Sequence, residues 1–312
     1  MRILFLGTPE IAKTCLEAIV KSGKHEIVGV VTKVDKPAGR GKKLVETPVK
    51  TYAKSIGLEV FQFENFKVDG EALIRKLKPD ILVLVAFGVI LSPEILSLAL
   101  PINLHGSMLP LYRGPSPIQT AILRGETMTG VTVMKMASEV DAGDILLQKV
   151  VQIAQNDTSK TLFEKMAIAG GEALVEALDL IESGKAKFVP QDHSKATFTS
   201  VLTKDNARLD FSDTALNVVN KIRAYNPNPV AFMTIDEMRL KVYAAKVVEL
   251  DLNLDDFKNG EIVMASGKTG LVVKAADGFV EILELQAPNG KVMSAKNLLN
   301  GLKIPIGKVC GV

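Results

Sequence analysis

The chain has 312 residues, 47% of them hydrophobic and 23% charged, with a formal net charge of +3. Those proportions exclude a disordered chain and a protein basic enough to bind nucleic acid over its whole surface, and they leave room for two domains with separate cores. No run approaches the ~18 apolar residues of a membrane span. The apolar start, Met1 to Leu6, stops at Gly7-Thr8-Pro9-Glu10, too soon for a signal-peptide core. Cys15 and Cys310 lie far apart without metal or redox spacing. A cytoplasmic protein with no metal, no DNA partner and no membrane partner is expected.

In chain order, Arg2 to Leu6 reads as a buried strand, followed by a helix with Thr8 as N-cap and Pro9 at its first position. Glu26 to Thr32 is the next strand and runs into a polar loop, Lys33 to Glu46. Thr47-Pro48 repeats the cap-plus-proline signal, Ile81 to Ala86 is a continuous apolar strand, and Ser92-Pro93-Glu94 opens another helix. Short apolar strands between capped helices imply an α/β fold, a mostly parallel sheet with helices on both faces. Ligands of such sheets sit beyond the carboxyl ends of the strands. The character changes near Asn206. A helix is expected around Ser212 to Arg223, then short strands at Leu240 to Val247, Gly260 to Met264, Leu271 to Lys274 and Phe279 to Leu285, with Asp277-Gly278 as a hairpin turn. Evenly spaced short strands suggest a small barrel. The domains predicted are therefore 1–188 and 206–312, joined by a polar linker, 189–205, that carries Lys195 and Lys204.

The chemistry-bearing residues cluster in Asn103-Leu104-His105-Gly106-Ser107-Met108-Leu109-Pro110 and, 36 positions after the histidine, Asp141-Ala142-Gly143-Asp144. Asn103 and His105 are two apart, so both side chains face one side of an extended strand end. An amide and a protonated imidazole can hydrogen-bond a developing oxyanion, and a carboxylate can hold the imidazolium and handle protons. Spacing alone does not choose between Asp141 and Asp144. The loop Asp35-Lys36-Pro37-Ala38-Gly39-Arg40-Gly41-Lys42-Lys43 is either a solvated basic loop or a glycine-hinged arm that grips phosphates through Arg40, Lys42 and Lys43. Val85 to Leu91 reads as a core strand whose end could line a pocket for a flat heteroaromatic ligand. Gly7-Thr8-Pro9-Glu10 lacks the three-glycine dinucleotide pattern.

With these residues in view, the chain resembles the methionyl-tRNA formyltransferases. The likeness rests on Gly7-Thr8-Pro9-Glu10, the 35–43 loop, Asn103-Leu104-His105-Gly106-Ser107, Tyr112-Arg113-Gly114-Pro115-Ser116-Pro117-Ile118-Gln119 and Asp141-Ala142-Gly143-Asp144. It continues through Ile222-Arg223-Ala224-Tyr225-Asn226-Pro227 and Met293-Ser294-Ala295-Lys296-Asn297-Leu298-Leu299. The Asn-x-His and Asp-x-Gly elements are shared by all 10-formyltetrahydrofolate-dependent formyltransferases, whereas the Gly-Arg-Gly-Lys-Lys loop and the second domain specify the tRNA enzyme. Ile11 stands where the family pattern has phenylalanine, and Asn228 where an aromatic is common between two prolines.

The resemblance implies a Rossmann-like catalytic domain followed by an OB-like barrel. It implies that 10-formyltetrahydrofolate lies among Ala86, Phe87, Gly88, Val89 and Ile90, flanked by the turn Ser107, Met108, Leu109 and Pro110. The α-amine of the initiator methionyl-tRNA attacks the formyl carbon, Asn103 and protonated His105 stabilise the oxyanion, and Asp141 holds the imidazolium and takes the amine proton. Arg40, Lys42 and Lys43 contact the acceptor end of the tRNA. A monomer is expected. The competing readings are a formyltransferase for a small amine, an idle RNA-binding protein on the same scaffold, and a hydrolase that releases formate.

Overall fold

The computed structural model describes residues 1–38, 43–89 and 91–310, with the backbone alone for Ala38, Lys43 and Lys67. The chain divides into two units, neither a single stretch. The first comprises residues 1–117, 128–152 and 163–199, and the second 118–127, 153–162 and 200–312.

The elements up to residue 182 are β1 (Arg2–Gly7), α1 (Glu10–Ser22), β2 (Glu26–Thr32), the hairpin strands β3 (Lys36–Ala38) and β4 (Lys43–Val45), α2 (Pro48–Ser55), β5 (Val60–Gln62), α3 (Phe66–Leu77), β6 (Ile81–Val85), α4 (Pro93–Leu98), β7 (Leu100–His105), α5 (Pro117–Leu123), β8 (Met128–Lys135), β9 (Ile145–Gln152) and α6 (Ser159–Glu182). Seven strands form one sheet in the order β5-β2-β1-β6-β7-β8-β9. The five strands from β5 to β7 are parallel, and β8 runs antiparallel to both β7 and β9. Every residue of β6 is buried, as an unalternating apolar run requires of a strand covered on both faces. Thr47 and Ser92 cap their helices as expected, accepting from the Lys50 and Ile95 amides. Thr8 does not. Pro9 occupies the N-cap of α1, and the Thr8 hydroxyl accepts instead from the Lys33 amide at 3.5 Å. No described helix is long and apolar enough to cross a membrane.

The second unit contains α7 (Ala215–Tyr225), β10 (Phe232–Ile235), β11 (Met238–Val248), β12 (Ile262–Ser266), β13 (Gly270–Ala275), β14 (Gly278–Gln286), β15 (Met293–Ser294) and α8 (Ala295–Gly301). Its antiparallel sheet runs β10-β11-β14-β13-β12, with β15 on β14, a half-barrel with open ends among the described residues. The turn at Asp277-Gly278 does two jobs. It joins β13 to β14, and the Asp277 carboxylate accepts from the Ala215 amide at the start of α7. Arg223 on α7 donates to the carbonyls of Ala154 and Asp157, tying the 153–162 segment into this unit.

Candidate active site

β7 carries Asn103 and His105 to the carboxyl end of the parallel strands, where His105 pairs in register with Thr132 of β8. Among the described residues the Asn103 amide makes no hydrogen bond, which leaves its N–H donors for a ligand. The His105 side chain is 7% exposed. Its Nε2 lies 2.9 Å from the Tyr112 carbonyl, which can only accept, so Nε2 carries a proton. Its Nδ1 lies 3.4 Å from Asp141 Oδ2. The Nδ1 contact is an ion pair whenever the ring is protonated.

Asp141 reaches the histidine from an unexpected direction. Because β8 is antiparallel, Lys135 sits opposite Ile102, and the β8–β9 connection leaves the sheet at the amino end of β7, where the Met136 amide bonds the Pro101 carbonyl. The loop after β7 comes to meet it: the Gly114 amide donates to Asp141 Oδ2 at 2.9 Å. Asp141 Oδ1 has no hydrogen-bond partner among the described residues. Of the two aspartates, Asp141 is the one paired with His105 among the described residues, while the backbone carbonyl of Asp144 accepts from the Lys135 amide. Gly143 has to be glycine, because a Cβ there would run into the Lys135 carbonyl.

Three residues around the site have left-handed backbones that favour glycine or asparagine: Ala86 (φ 45°), Tyr112 (φ 59°) and Asp141 (φ 54°). For alanine and tyrosine this costs energy that the surroundings must offset. At Tyr112 the offset is visible. Its amide donates to Thr197 Oγ1 at 2.8 Å, its carbonyl accepts from His105 Nε2, and the next residue, Arg113, exchanges both backbone bonds with Thr197 and Thr199. Arg113 is 2% exposed and donates from Nε and Nη2 to Gln191 Oε1 (3.2 and 2.8 Å) and from Nη2 to His193 Nδ1 (3.1 Å). Gln191 in turn donates to the carbonyls of Asp141 and Gly143 at 2.9 and 2.7 Å. Sequence reasoning missed Arg113, Gln191 and Thr197 as parts of the site. Their partners lie 48 to 85 positions away, so no local spacing marks them.

The residues expected around a folate separate into two kinds. Phe87 and Leu109 are core residues, 4% and 3% exposed, and Phe87 meets Phe66 edge-on at 5.5 Å. Ser107 is fully buried and donates to the Leu111 carbonyl, while Thr132 Oγ1 joins the Ser107 carbonyl to the Leu109 amide. Ala86 and Gly88 are exposed, Val89 packs partly against the core, and Met108 and Pro110 are half-buried. Ile90, Arg40, Lys42 and the Lys43 side chain lie outside the described residues. The base of the basic arm is well anchored: Lys50 bonds Asp35 Oδ2 at 2.5 Å and Gln62 Oε1 at 2.8 Å, and Gln62 Nε2 returns to Asp35 Oδ1 and the Lys33 carbonyl. The Lys50 and Gln62 bonds hold the Asp35 carboxyl below the ordinary carboxylate range. No group of His, Cys, Asp and Glu among the described residues could hold a metal ion.

Comparison with known proteins identifies the family. Residues 1–178 match the family described as Formyl transferase, and residues 201–303 that described as Formyl transferase, C-terminal domain. A methionyl-tRNA formyltransferase of Sulfurihydrogenibium sp. is 41% identical over 312 residues, covering 99% of each chain. One from Fusobacterium nucleatum is 38% identical over 315 residues, covering 99% of this chain and all of its own. Among solved structures, an N-formyltransferase from Helicobacter canadensis, in complex with folinic acid and dTDP-3-aminofucose, superposes with a TM-score of 0.67 at 20% identity, over 90% of this chain and 98% of its own. The chain belongs to the formyl transferase family.

Proposed function

We propose that this chain transfers the formyl group of 10-formyltetrahydrofolate to the α-amine of methionyl-initiator-tRNA, for translation initiation in the cytoplasm. The observation that carries the reading is the 41% identity, end to end, to a methionyl-tRNA formyltransferase. The site geometry is consistent with it. The pteridine is placed against the exposed backbone at Ala86 and Gly88, backed by Phe87 in the core and flanked by the turn Ser107, Met108, Leu109 and Pro110; Ile90, expected to share in this role, lies outside the described residues. The folate supplies the formyl carbon. A free α-amine has a pKa of about 7.7–8.0, so a neutral fraction is present near neutral pH without a strong base.

Asn103 donates to the oxygen that becomes negative as the amine adds. His105 holds positive charge beside it, and joins as a direct donor only by exchanging the Tyr112 carbonyl for the oxyanion, because in the structure both ring nitrogens face protein acceptors. Asp141 keeps the imidazolium in place through Oδ2, and its unengaged Oδ1 takes the amine proton and gives it to the folate nitrogen as the bond from that nitrogen to the formyl carbon breaks, releasing tetrahydrofolate. A region through residue 188 performs the chemistry. The half-barrel region from 206 holds the tRNA, aided by Lys195 and Lys204 in the joining segment and by Arg40, Lys42 and Lys43 at the acceptor end. The enzyme acts as a monomer.

The reading is tested by offering labelled formyl donor together with methionyl-tRNA, free methionine or glycinamide ribonucleotide. Label is expected on methionyl-tRNA alone. Label on a small amine, or released only as formate, overturns it. Neutralising Arg40, Lys42 and Lys43 should flatten the log–log salt dependence of tRNA binding by about 0.7–0.9 for each phosphate that is no longer neutralised, with folate binding intact.

A further inference from the structure

The stretch from Gln191 to Thr199 belongs to the first unit and lies along both loops that carry the site. Gln191 is 6% exposed and every hydrogen-bonding atom of its amide is used inside the protein. Nε2 donates to the carbonyls of Asp141 (2.9 Å) and Gly143 (2.7 Å), and Oε1 accepts from Nε and Nη2 of Arg113. No donor or acceptor remains for a substrate.

Its placement is specific. The bond on which Asp141 depends, from the Gly114 amide to Oδ2, joins residue 114 to residue 141. Gln191 grips the neighbour of the first and the backbone of the second. The turn contributes little by itself, since its internal bond from the Ala142 amide to the Glu139 carbonyl is long, at 3.4 Å. Fixing the carbonyl of residue 141 fixes the peptide plane that follows the Asp141 Cα, and fixing that of residue 143 holds the far end of the turn, so together they constrain the direction of the Asp141 side chain and its 3.4 Å approach to His105.

We propose that residues 191–199 are a strap in which Gln191 is a positioning residue for Asp141, acting through the 141–143 turn. The proposal rests on the acid–base reading of Asp141. Gln191→Glu keeps the length and the bonds to Arg113 but turns an oxygen toward two carbonyls, and Gln191→Met fills the space without hydrogen bonds. Because a misplacement of about 1 Å can cost about a hundredfold in rate, both variants should lower kcat roughly ten- to a hundredfold, with KM for formyl donor and methionyl-tRNA changed less than about threefold.

A coupling test separates positioning from general stabilisation. In an Asp141→Asn background, Gln191→Met should lower kcat by less than about threefold further, since the group it aims is already gone. Full, multiplicative losses in that background, or a rise in KM in place of a fall in kcat, would overturn the proposal. Wild-type kcat in both Gln191 variants beside a crippled Asp141→Asn enzyme sinks the strap alone. Wild-type turnover in Asp141→Asn sinks the acid–base reading and the strap with it. Gln191→Glu carries the test if Gln191→Met does not fold by circular dichroism.

Discussion

The first unit holds two histidines beside carboxylates, and they are built in opposite ways. His105 faces Asp141 at 3.4 Å and donates through Nε2 to a carbonyl. The side chain of His25 is fully buried, with Glu182 Oε2 at 3.5 Å and Asp179 Oδ1 at 4.0 Å, yet neither ring nitrogen has a hydrogen-bond partner. The carboxylates explain the contrast. Glu182 is taken by the Met1 amine at 2.7 Å, which holds its carboxyl below the ordinary range, and Asp179 by Lys24 at 2.6 Å. Among the described residues, Asp141 takes only the neutral Gly114 amide besides the imidazole. At His25, burial therefore outweighs attraction to Glu182 and Asp179, the Met1 amine and Lys24 add repulsion, and the ring is pushed below the ordinary histidine pKa. Proximity to a carboxylate does not make an acid–base pair. The two pairs differ in what else the carboxylate holds, charged amines beside His25 and a neutral amide beside His105.

The largest effect that sharpens the contrast is expected from Asp141→Asn. Loss of a positioned proton acceptor typically costs about 10²–10⁴ in rate, to be read as kcat in a formylation assay, with the melting temperature little changed. A kcat within about threefold of wild type would erase the difference between the two histidine sites. Next comes Asn103→Ala, which removes one oxyanion donor and should cost roughly 2.7–4 kcal/mol, about two to three orders of magnitude in kcat. Smaller still is Thr197→Val, which takes away the acceptor for the Tyr112 amide. One net hydrogen bond is worth about 0.5–1.5 kcal/mol, so kcat should fall roughly two- to tenfold.

His25→Gln should leave kcat unchanged and alter the pH dependence of stability instead. The folded state favours neutral His25, so its contribution is complete above the ordinary histidine value of about 6.5 and is lost as pH falls from there toward the lower folded value. Melting temperatures measured from about pH 8 down to about pH 5 should drop less in the variant than in the wild type. An equal drop would mean that His25 is not the group being charged.

Much of the α/β half was legible because its signals are local. Thr47-Pro48 and Ser92-Pro93 cap real helices, β6 is one apolar run, and the two-residue spacing of Asn103 and His105 follows from a strand. The longest described helix, α6, was not legible, since Gly170-Gly171 interrupts its pattern. The choice between Asp141 and Asp144 needed the antiparallel β8, whose direction no spacing reveals. The polar stretch 189–205 looked like a linker because the bonds that anchor its first half, from Val189, Gln191, Thr197 and Thr199, go to residues far away in the chain. Local composition cannot distinguish a strap from a tether when the partners are distant.

The glycines that hid α6 have a consequence for the enzyme's chemistry. A Cβ on Gly170 would come within 2.5 Å of Leu104 Cδ2, and one on Gly171 within 2.7 Å of the Ala18 Cβ. Leu104 is the residue between Asn103 and His105, turned to the opposite side of β7. The depth at which both polar groups stand is thus gauged from behind by a helix that carries none of the reacting groups. An alanine introduced at 170 to strengthen that helix would press on Leu104 and be felt on the far side of the sheet.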